Sequence, residues 1–314
     1  MKNWQNGDYV LKIRLIAPDS KYPNLAIMKI SAYHKKLGDD VDWYAPLFDL
    51  DTDILYISKI FTFSPDPLKY MSLPLNAKII TGGTGYDISG TLPAEIENIT
   101  ELDYSLYPNC DYSIIFTTRG CFRKCPFCIV SKKEGMIHDV KICDLNPNGK
   151  HIKILDNNFF ASKNWKSNLE KLKSFNQPLE FNGGIDLRIL TEEQCIELAK
   201  CKIKSIHCAW DNYKDKNYIL PKLEMLVKYI KPYKILCYVL IGFENKNLQE
   251  TDVERVNTIW KLGIYPFVMV YRDFNNPKYE PMKICKDFAR WCNNRFIFKS
   301  CSWEEYKCNY DNTK

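Results

Sequence analysis

Residues suited to unusual chemistry are concentrated in one stretch, Thr118-Arg119-Gly120-Cys121-Phe122-Arg123-Lys124-Cys125-Pro126-Phe127-Cys128. Three thiolates separated by three and two residues can hold three irons of a cubane 4Fe-4S cluster and leave the fourth iron without a protein ligand. An open position of this kind suits a chelating substrate, by the logic that separates catalytic from structural metal sites. Gly120 and Pro126 suit a tight backbone, and Arg119, Arg123 and Lys124 bring positive charge to offset an anionic cluster. Other chemistries stay open. Zinc would need a fourth ligand, which His138 or Cys143 could supply, and thiols clustered by chance are the plainest alternative. An electron-transfer ferredoxin would use four cysteines, and no nearby fourth one has the usual spacing. The spacing, together with its place just after a strand pattern, favours the open cluster.

The elements that must position this loop can be read from periodicity. Tyr112–Thr117, Ile152–Leu155, Leu179–Asn182, Ser205–Ala209, Ile235–Ile241 and Pro266–Tyr271 read as strands. Helical patterns separate most of them, at Trp165–Phe175, Thr191–Cys201, Pro221–Ile230 and Asp252–Leu262. Thr191 followed by Glu192 and Glu193 is a good helix start. These units imply a parallel sheet curved as part of a barrel, since a full eight-unit barrel needs about 250 residues. The cysteines then fall at the C-terminal mouth, where barrel enzymes keep their chemistry. Upstream, Lys12–Ile16, Val41–Tyr44, Ile54–Ile57 and Lys78–Thr81 read as strands and Asn24–Leu37 as a helix closed by Gly38, a small open α/β sheet. Thr91–Asn109 reads as a connector, and Pro281–Lys314 as one or two helices. The expected class is α/β: a Rossmann-like open sheet in residues 1–100, a partial (β/α)6 TIM-type barrel in 101–278, and a helical tail in 279–314.

Bulk properties agree with a folded protein of two or more units. The 314 residues are 46% hydrophobic and 26% charged, which argues against disorder. A net charge of +6 is mildly basic; it permits RNA as a partner without favouring nucleic acid. The first residues hold no apolar run long enough for a signal peptide, and no stretch approaches a membrane span. Thirteen cysteines, an odd count, then fit a reducing, cytoplasmic setting better than a disulfide framework.

The pattern Cys121-x-x-x-Cys125-x-x-Cys128, with Phe127 before the last cysteine, is similar to the cluster loop of the radical S-adenosylmethionine superfamily, and the likeness extends from Tyr112 to Arg272. That resemblance implies roles for further residues. Asp156 and Asn158, in Leu155–Phe159, would hold the amino group of S-adenosylmethionine. Arg188, after Phe181–Leu187, would pair with its carboxylate, and Asp211, in Ile206–Asn212, would contact its methionine or ribose part. Gly242-Phe243-Glu244 would pack on the adenine. The family's Gly-Gly-Glu motif should follow the second strand, but here Gly183-Gly184 arrives one strand later, so Gly183 is carried as a cofactor contact out of its usual place. Tyr271, at the end of the sixth strand, is a substrate or cofactor contact or else a strand-end cap.

The N-terminal region resembles the cobalamin-binding-like domain of one branch of the superfamily, through Pro23–Ala26, Leu37-Gly38 and the Gly82-Gly83 turn. The Asp-x-His-x-x-Gly motif of other cobalamin proteins is absent. His34 is therefore expected on the helix surface rather than on cobalt, and cobalamin is the less favoured reading of this domain. Gly82–Gly85 is expected to be a flexible turn rather than a phosphate cradle. Cys195, Cys201, Cys208 and Cys237 look like core; Cys285 with Cys292, and Cys301 with Cys308, have the spacing for an accessory metal, although buried packing is the commoner use of such cysteines.

The resemblance also implies a mechanism. S-adenosylmethionine chelates the unique iron through its amino and carboxylate groups, and an electron from a low-potential flavodoxin- or ferredoxin-type donor breaks its C5′–S bond. The resulting 5′-deoxyadenosyl radical takes a hydrogen atom from a substrate. No RNA-binding module is recognisable in the tail, which favours a small metabolite or peptide over methylation or methylthiolation of RNA or protein. A non-enzymatic zinc or iron–sulfur scaffold is the alternative from a different class.

Overall fold

The computed structural model describes residues 10–19, 22–276 and 278–311, with side chains described as far as Lys307; Cys308 lies outside them. The chain forms two compact units, Met1–Ile114 with Lys141–Gly149, and Ile115–Val140 with Lys150–Lys314. Among the described residues no helix is long and apolar enough to cross a membrane.

The first unit is built on four parallel strands: β1 (Lys12–Ile16), β2 (Asp40–Trp43), β3 (Ile54–Ser58) and β4 (Lys78–Gly82), in the order β2-β1-β3-β4. Ile13 and Leu15 of β1 pack with Ile27 and Ile30 of the helix Leu25–Lys36. Asn24 caps that helix by accepting from the Ile27 amide, and its own amide donates to Ser58 Oγ at 3.0 Å. His34 is not on the surface. It is 5% exposed, with Nδ1 2.6 Å from Asp39 and Nε2 3.1 Å from the Tyr56 hydroxyl, because the helix turns this position onto the sheet. Both ring nitrogens therefore have protein partners. The Gly82–Gly85 turn is tightly packed rather than flexible: a Cβ on Gly83 would lie 2.3 Å from the Lys59 carbonyl oxygen. The connector carries a short helix, Ala94–Glu97, and a 3-10 turn, Tyr104–Leu106.

A six-stranded sheet follows. Its strands are β5 (Tyr112–Ile115), β8 (His151–Ile154), β9 (Leu179–Ile185), β10 (Ile203–Ala209), β11 (Ile235–Ile241) and β12 (Tyr265–Val270), ordered β12-β11-β10-β9-β8-β5. A two-residue ladder, β6 (Thr118–Arg119) with β7 (His138–Asp139), stands apart from it. β11 alternates strictly, Ile235, Cys237, Val239 and Ile241 buried and the residues between them half-buried. One face of the sheet is thus covered, with helices between the strands, while the other carries Lys153, Tyr238, Phe267 and Met269. On that second face Glu180 collects His151 at 3.3 Å and Lys204 at 3.1 Å, near the N-terminal ends of the strands.

Helix boundaries follow local chemistry. Thr191 and Gln194 form a reciprocal capping box at the helix Glu192–Ala199. The helix expected from Pro221 begins at Lys216, with Pro221 carried inside it. The early Pro position leaves most of the helix ladder intact. In the tail, three helices rather than one or two are seen, Lys283–Asn293, Arg295–Ser300 and Trp303–Asp311. Phe288, Trp291, Phe298 and Trp303 pack edge to face there, and Cys285 and Cys292 are buried among these helices and β12.

The Gly183-Gly184 pair sits where β9 loses register with β10. A Cβ on Gly183 would lie 2.2 Å from the Asp156 carbonyl oxygen and 2.6 Å from the Leu155 carbonyl carbon, backbone atoms that cannot swing away. Gly184, at φ +103°, has its nearest such neighbour at 3.5 Å. Alanine at 183 is therefore expected to destabilise the protein by about 3 kcal/mol or more, against about 1–2 kcal/mol at 184 where only backbone strain acts. Urea unfolding followed by tryptophan fluorescence would check this, and equal costs would refute the packing explanation.

Candidate functional site

The cysteine loop leaves β5 and is stapled at its base. Gly120 has φ +79°, and a Cβ there would come within 2.5 Å of the Met136 carbonyl oxygen, so only glycine lets the two arms of the loop close. Across this gap the Cys121 amide donates to the Gly135 carbonyl at 3.1 Å. Glu134 completes the staple, accepting from Arg119 Nη2 at 2.7 Å, the Gly120 amide at 2.9 Å and Asn157 Nδ2 at 2.6 Å. Burial works against the charged form of Glu134, but Arg119 and these donors outweigh it and hold its carboxyl below the ordinary range. A turn closed by Cys128 N to Cys125 O, at 3.0 Å, then leads into the short helix Val130–Lys133.

All three cysteines are half-buried and free of disulfides. Burial pushes the Cys125 and Cys128 thiols up, opposed at Cys125 by the positive charge of Arg188. Cys121 Sγ accepts from the Arg123 amide at 3.5 Å and from Asn158 Nδ2 at 3.9 Å. Behind these contacts lies Asp186, at the end of β9. Its Oδ2 accepts from Arg123 Nε and from Asn158 Nδ2 at 3.4 Å; its Oδ1 accepts from the Arg188 amide at 3.1 Å and Arg188 Nε at 2.7 Å. Burial disfavours the Asp186 carboxylate, yet the two arginines prevail and keep its carboxyl low.

The expected site residues divide into groups. Arg188, Asp211 and Asn158 come together with the cysteines at the C-terminal ends of the strands, Asp211 acting on Cys125 and Cys128 through its charge. Phe127 meets Phe243 at 5.5 Å between ring centroids, Phe243 meets Tyr271 at 4.9 Å, and Tyr271 meets Tyr279 at 5.8 Å. These edge-to-face contacts tie the loop to the ends of β11 and β12. Gly242, at φ +75°, makes the turn that brings Phe243 into this row. Asp156 and Gly183 stand differently. The Asp156 carboxylate is filled by hydrogen bonds from Thr117 and Thr118, and Gly183 serves strand packing. Of the alternative zinc ligands, His138 is exposed on β7 with Nδ1 3.0 Å from the Met136 carbonyl oxygen, and Cys143 belongs to the first unit.

Glu134 and Asp186 were not singled out as site residues by sequence reasoning. Asp186 carried a weak sign, an aspartate two residues before Arg188 at a strand end, which makes it the cap of the turn Leu187–Ile189. Glu134 lay beyond the motif, and nothing local marks it.

Among the described residues no three His, Cys, Asp or Glu side chains stand in a metal-ligating arrangement, so the loop's sulfurs would have to draw together to take up iron. The donor set nonetheless fits a cluster with an open iron. Three thiols share one stapled loop, and the buried Asn158 Oδ1, on the side chain that donates to Cys121, has no hydrogen-bond partner. An orphaned buried acceptor costs about 1–3 kcal/mol, a cost that a ligand's N–H would remove. Compared with known proteins, the chain matches no family model and no curated protein.

Asp211 gives a measurable signature. Burial raises its carboxyl to about 6, with Arg255 and Arg188 opposing. The folded protein therefore binds a proton more readily than the unfolded chain, and the stability this gives is present below the ordinary carboxyl value and lost as pH rises through about 6. Asp211→Asn should be more stable than the parent by about 1–3 kcal/mol at pH 8, the gap closing by pH 4. Thermal unfolding of both proteins across this range tests it; a gap that stays constant would contradict the assignment.

Proposed function

We propose that this chain is a radical S-adenosylmethionine enzyme, with Cys121, Cys125 and Cys128 holding a 4Fe-4S cluster and the six-stranded sheet with its helices acting as a partial (β/α)6 barrel followed by a helical tail. The first unit, with four parallel strands in the order β2-β1-β3-β4, is read as the Rossmann-like domain that precedes the barrel. The observation that carries the reading is the convergence on one mouth: the cysteine loop, Asn158, Asp186 with Arg188, Asp211, Gly242 and Tyr271 follow successive strands of a parallel sheet at their C-terminal ends.

When bound, the cluster and S-adenosylmethionine supply reductive cleavage of the sulfonium C5′–S bond, giving a 5′-deoxyadenosyl radical that removes a hydrogen atom from the substrate. The residues do the holding. Asn158 would offer its unsatisfied oxygen to the amino group of the ligand, and Asp211 would contact its methionine or ribose part. The Phe127–Phe243–Tyr271 row walls the mouth and limits water, with the Gly242 turn presenting backbone to the adenine. The exposed side of the loop would receive a flavodoxin- or ferredoxin-type electron donor, and the substrate is read as a small metabolite or peptide.

The test is anaerobic reconstitution with iron and sulfide, then dithionite and S-adenosylmethionine, with 5′-deoxyadenosine assayed. Iron-dependent release of 5′-deoxyadenosine supports the assignment. Tight zinc binding with no such release would overturn it in favour of a metal scaffold.

A further inference from the structure

We propose that Lys59 and the Gly82–Gly85 turn form a phosphate site in the first unit, and that its ligand is a nucleotide whose base stacks on Phe61. The site belongs wholly to the first unit and calls for no metal.

No lysine follows these glycines in the sequence, but the fold supplies one from the neighbouring strand. Lys59 comes directly after β3, and its amide donates to the Gly82 carbonyl at 2.9 Å. The residue is only 6% exposed. Its stem runs along the turn: a Cβ on Gly85 would lie 2.9 Å from Lys59 Cγ and 3.0 Å from Lys59 Cε. The ammonium ends 4.8 Å from the centroid of the Tyr86 ring and makes no hydrogen bond or ion pair among the described residues. Carboxylates on the flanking loops are taken by other donors. Asp66 accepts from the Tyr86 hydroxyl at 2.6 Å and the Leu68 amide at 3.2 Å, and Asp19 accepts from the amides of Ile60 and Phe61. A buried ammonium is costly unless an acceptor meets its three N–H groups, and a ring face repays only part of that cost.

Two further donors stand beside it. Gly83, at φ +89°, turns the chain beyond β4, and the amides of Gly83 and Thr84 have no acceptor among the described residues. Successive amides in a turn of this kind, at the C-terminal ends of parallel strands, suit a phosphate. The rest of the ligand is read from the loop that follows Lys59. Phe61 and Phe63 stack with ring centroids 5.2 Å apart and planes 18° from parallel, yet they are 42% and 53% exposed. Phe61 lies at most about 7 Å along the chain from Lys59, a gap that a ribose can span. Its carbonyl oxygen also borders the turn, 2.8 Å from where a Cβ on Gly85 would be. A planar base laid on this pair would extend the stack.

The experiment is isothermal titration calorimetry of the full chain, free of iron, with AMP as the probe and inorganic phosphate for comparison. The parent should bind AMP more tightly than phosphate. Lys59→Met keeps the stem that packs on Gly85, and it should weaken both ligands by about tenfold or more. Phe61→Ala should weaken AMP by about fivefold or more and leave phosphate as it was. Lys78→Met, at an exposed side chain on the opposite end of β4, should change neither. No binding of AMP by the parent at millimolar concentration would overturn the proposal, as would equal losses in Lys59→Met and Lys78→Met. AMP binding untouched by Phe61→Ala would overturn the nucleotide as the ligand. Circular dichroism checks that each variant is folded, and should Lys59→Met fail there, Lys59→Gln decides by the same criterion. Iron-dependent release of 5′-deoxyadenosine stands or falls separately, because no iron is present in these titrations.

Discussion

Alanine at any one of Cys121, Cys125 or Cys128 is expected to remove both stable iron–sulfur loading and the release of 5′-deoxyadenosine. Three thiolates are the fewest that can hold a cubane with one open iron, so losing one leaves two irons without protein ligands. The effect should be all-or-none and equal across the three positions, because residues acting as one unit do not contribute additively. Folding should be nearly untouched, since all three side chains are half-buried on a loop whose closure depends on Gly120 and Glu134. Burial raises the Cys125 and Cys128 thiols, so loading should improve as pH rises, metal ligation requiring the thiolate. Cys285→Ala and Cys292→Ala offer the contrast: both thiols are buried core groups raised to about 11 and about 12, and their loss should lower stability while iron per chain stays at the parent level. Iron and sulfide analysis with product assay decides the matter, and a loop variant retaining both properties would sink the site.

Most of the elements were legible because periodicity and capping agree with each other. The alternation at Ile235–Ile241 and the Thr191 cap are complete within their own segments, so no distant contact could overrule them. The cysteine spacing was legible for the same reason. What stayed hidden depends on partners far along the chain. His34 looks like a polar helix residue until Asp39 and Tyr56 are folded against it. Glu134 acquires meaning only where Arg119, Gly120 and Asn157 reach it. Pro221 reads as a helix start because proline is favoured there, yet the turn at Tyr213–Asp215 starts the helix sooner. Gly183 was noticed as part of a displaced motif, whereas its need comes from the backbone of the neighbouring strand.

Asp156→Ala is expected to be the most destabilising single change at this mouth, costing about 3–5 kcal/mol. The Asp156 side chain is buried, and its oxygens accept from the Thr117 amide at 2.7 Å, the Thr118 amide at 3.0 Å, the Thr118 hydroxyl at 2.8 Å and the Thr117 hydroxyl. Burial raises its carboxyl, with the threonine donors opposing. Alanine would leave four buried donors without partners at the step that leads into Gly120 and Cys121. Asparagine keeps the shape but turns a donor toward donors, so it should cost about 1–3 kcal/mol. Asn158 makes the opposing case two residues later. Its Oδ1 has no partner in the fold, so Asn158→Ala should cost under about 1 kcal/mol while weakening the binding of S-adenosylmethionine. Equilibrium unfolding of the metal-free protein, paired with calorimetric titration of the reconstituted one, separates the two roles. Asp156 acts as the clamp on the loop and Asn158 as the ligand contact only if stability falls chiefly in the first variant and affinity chiefly in the second; the reverse pattern would exchange them.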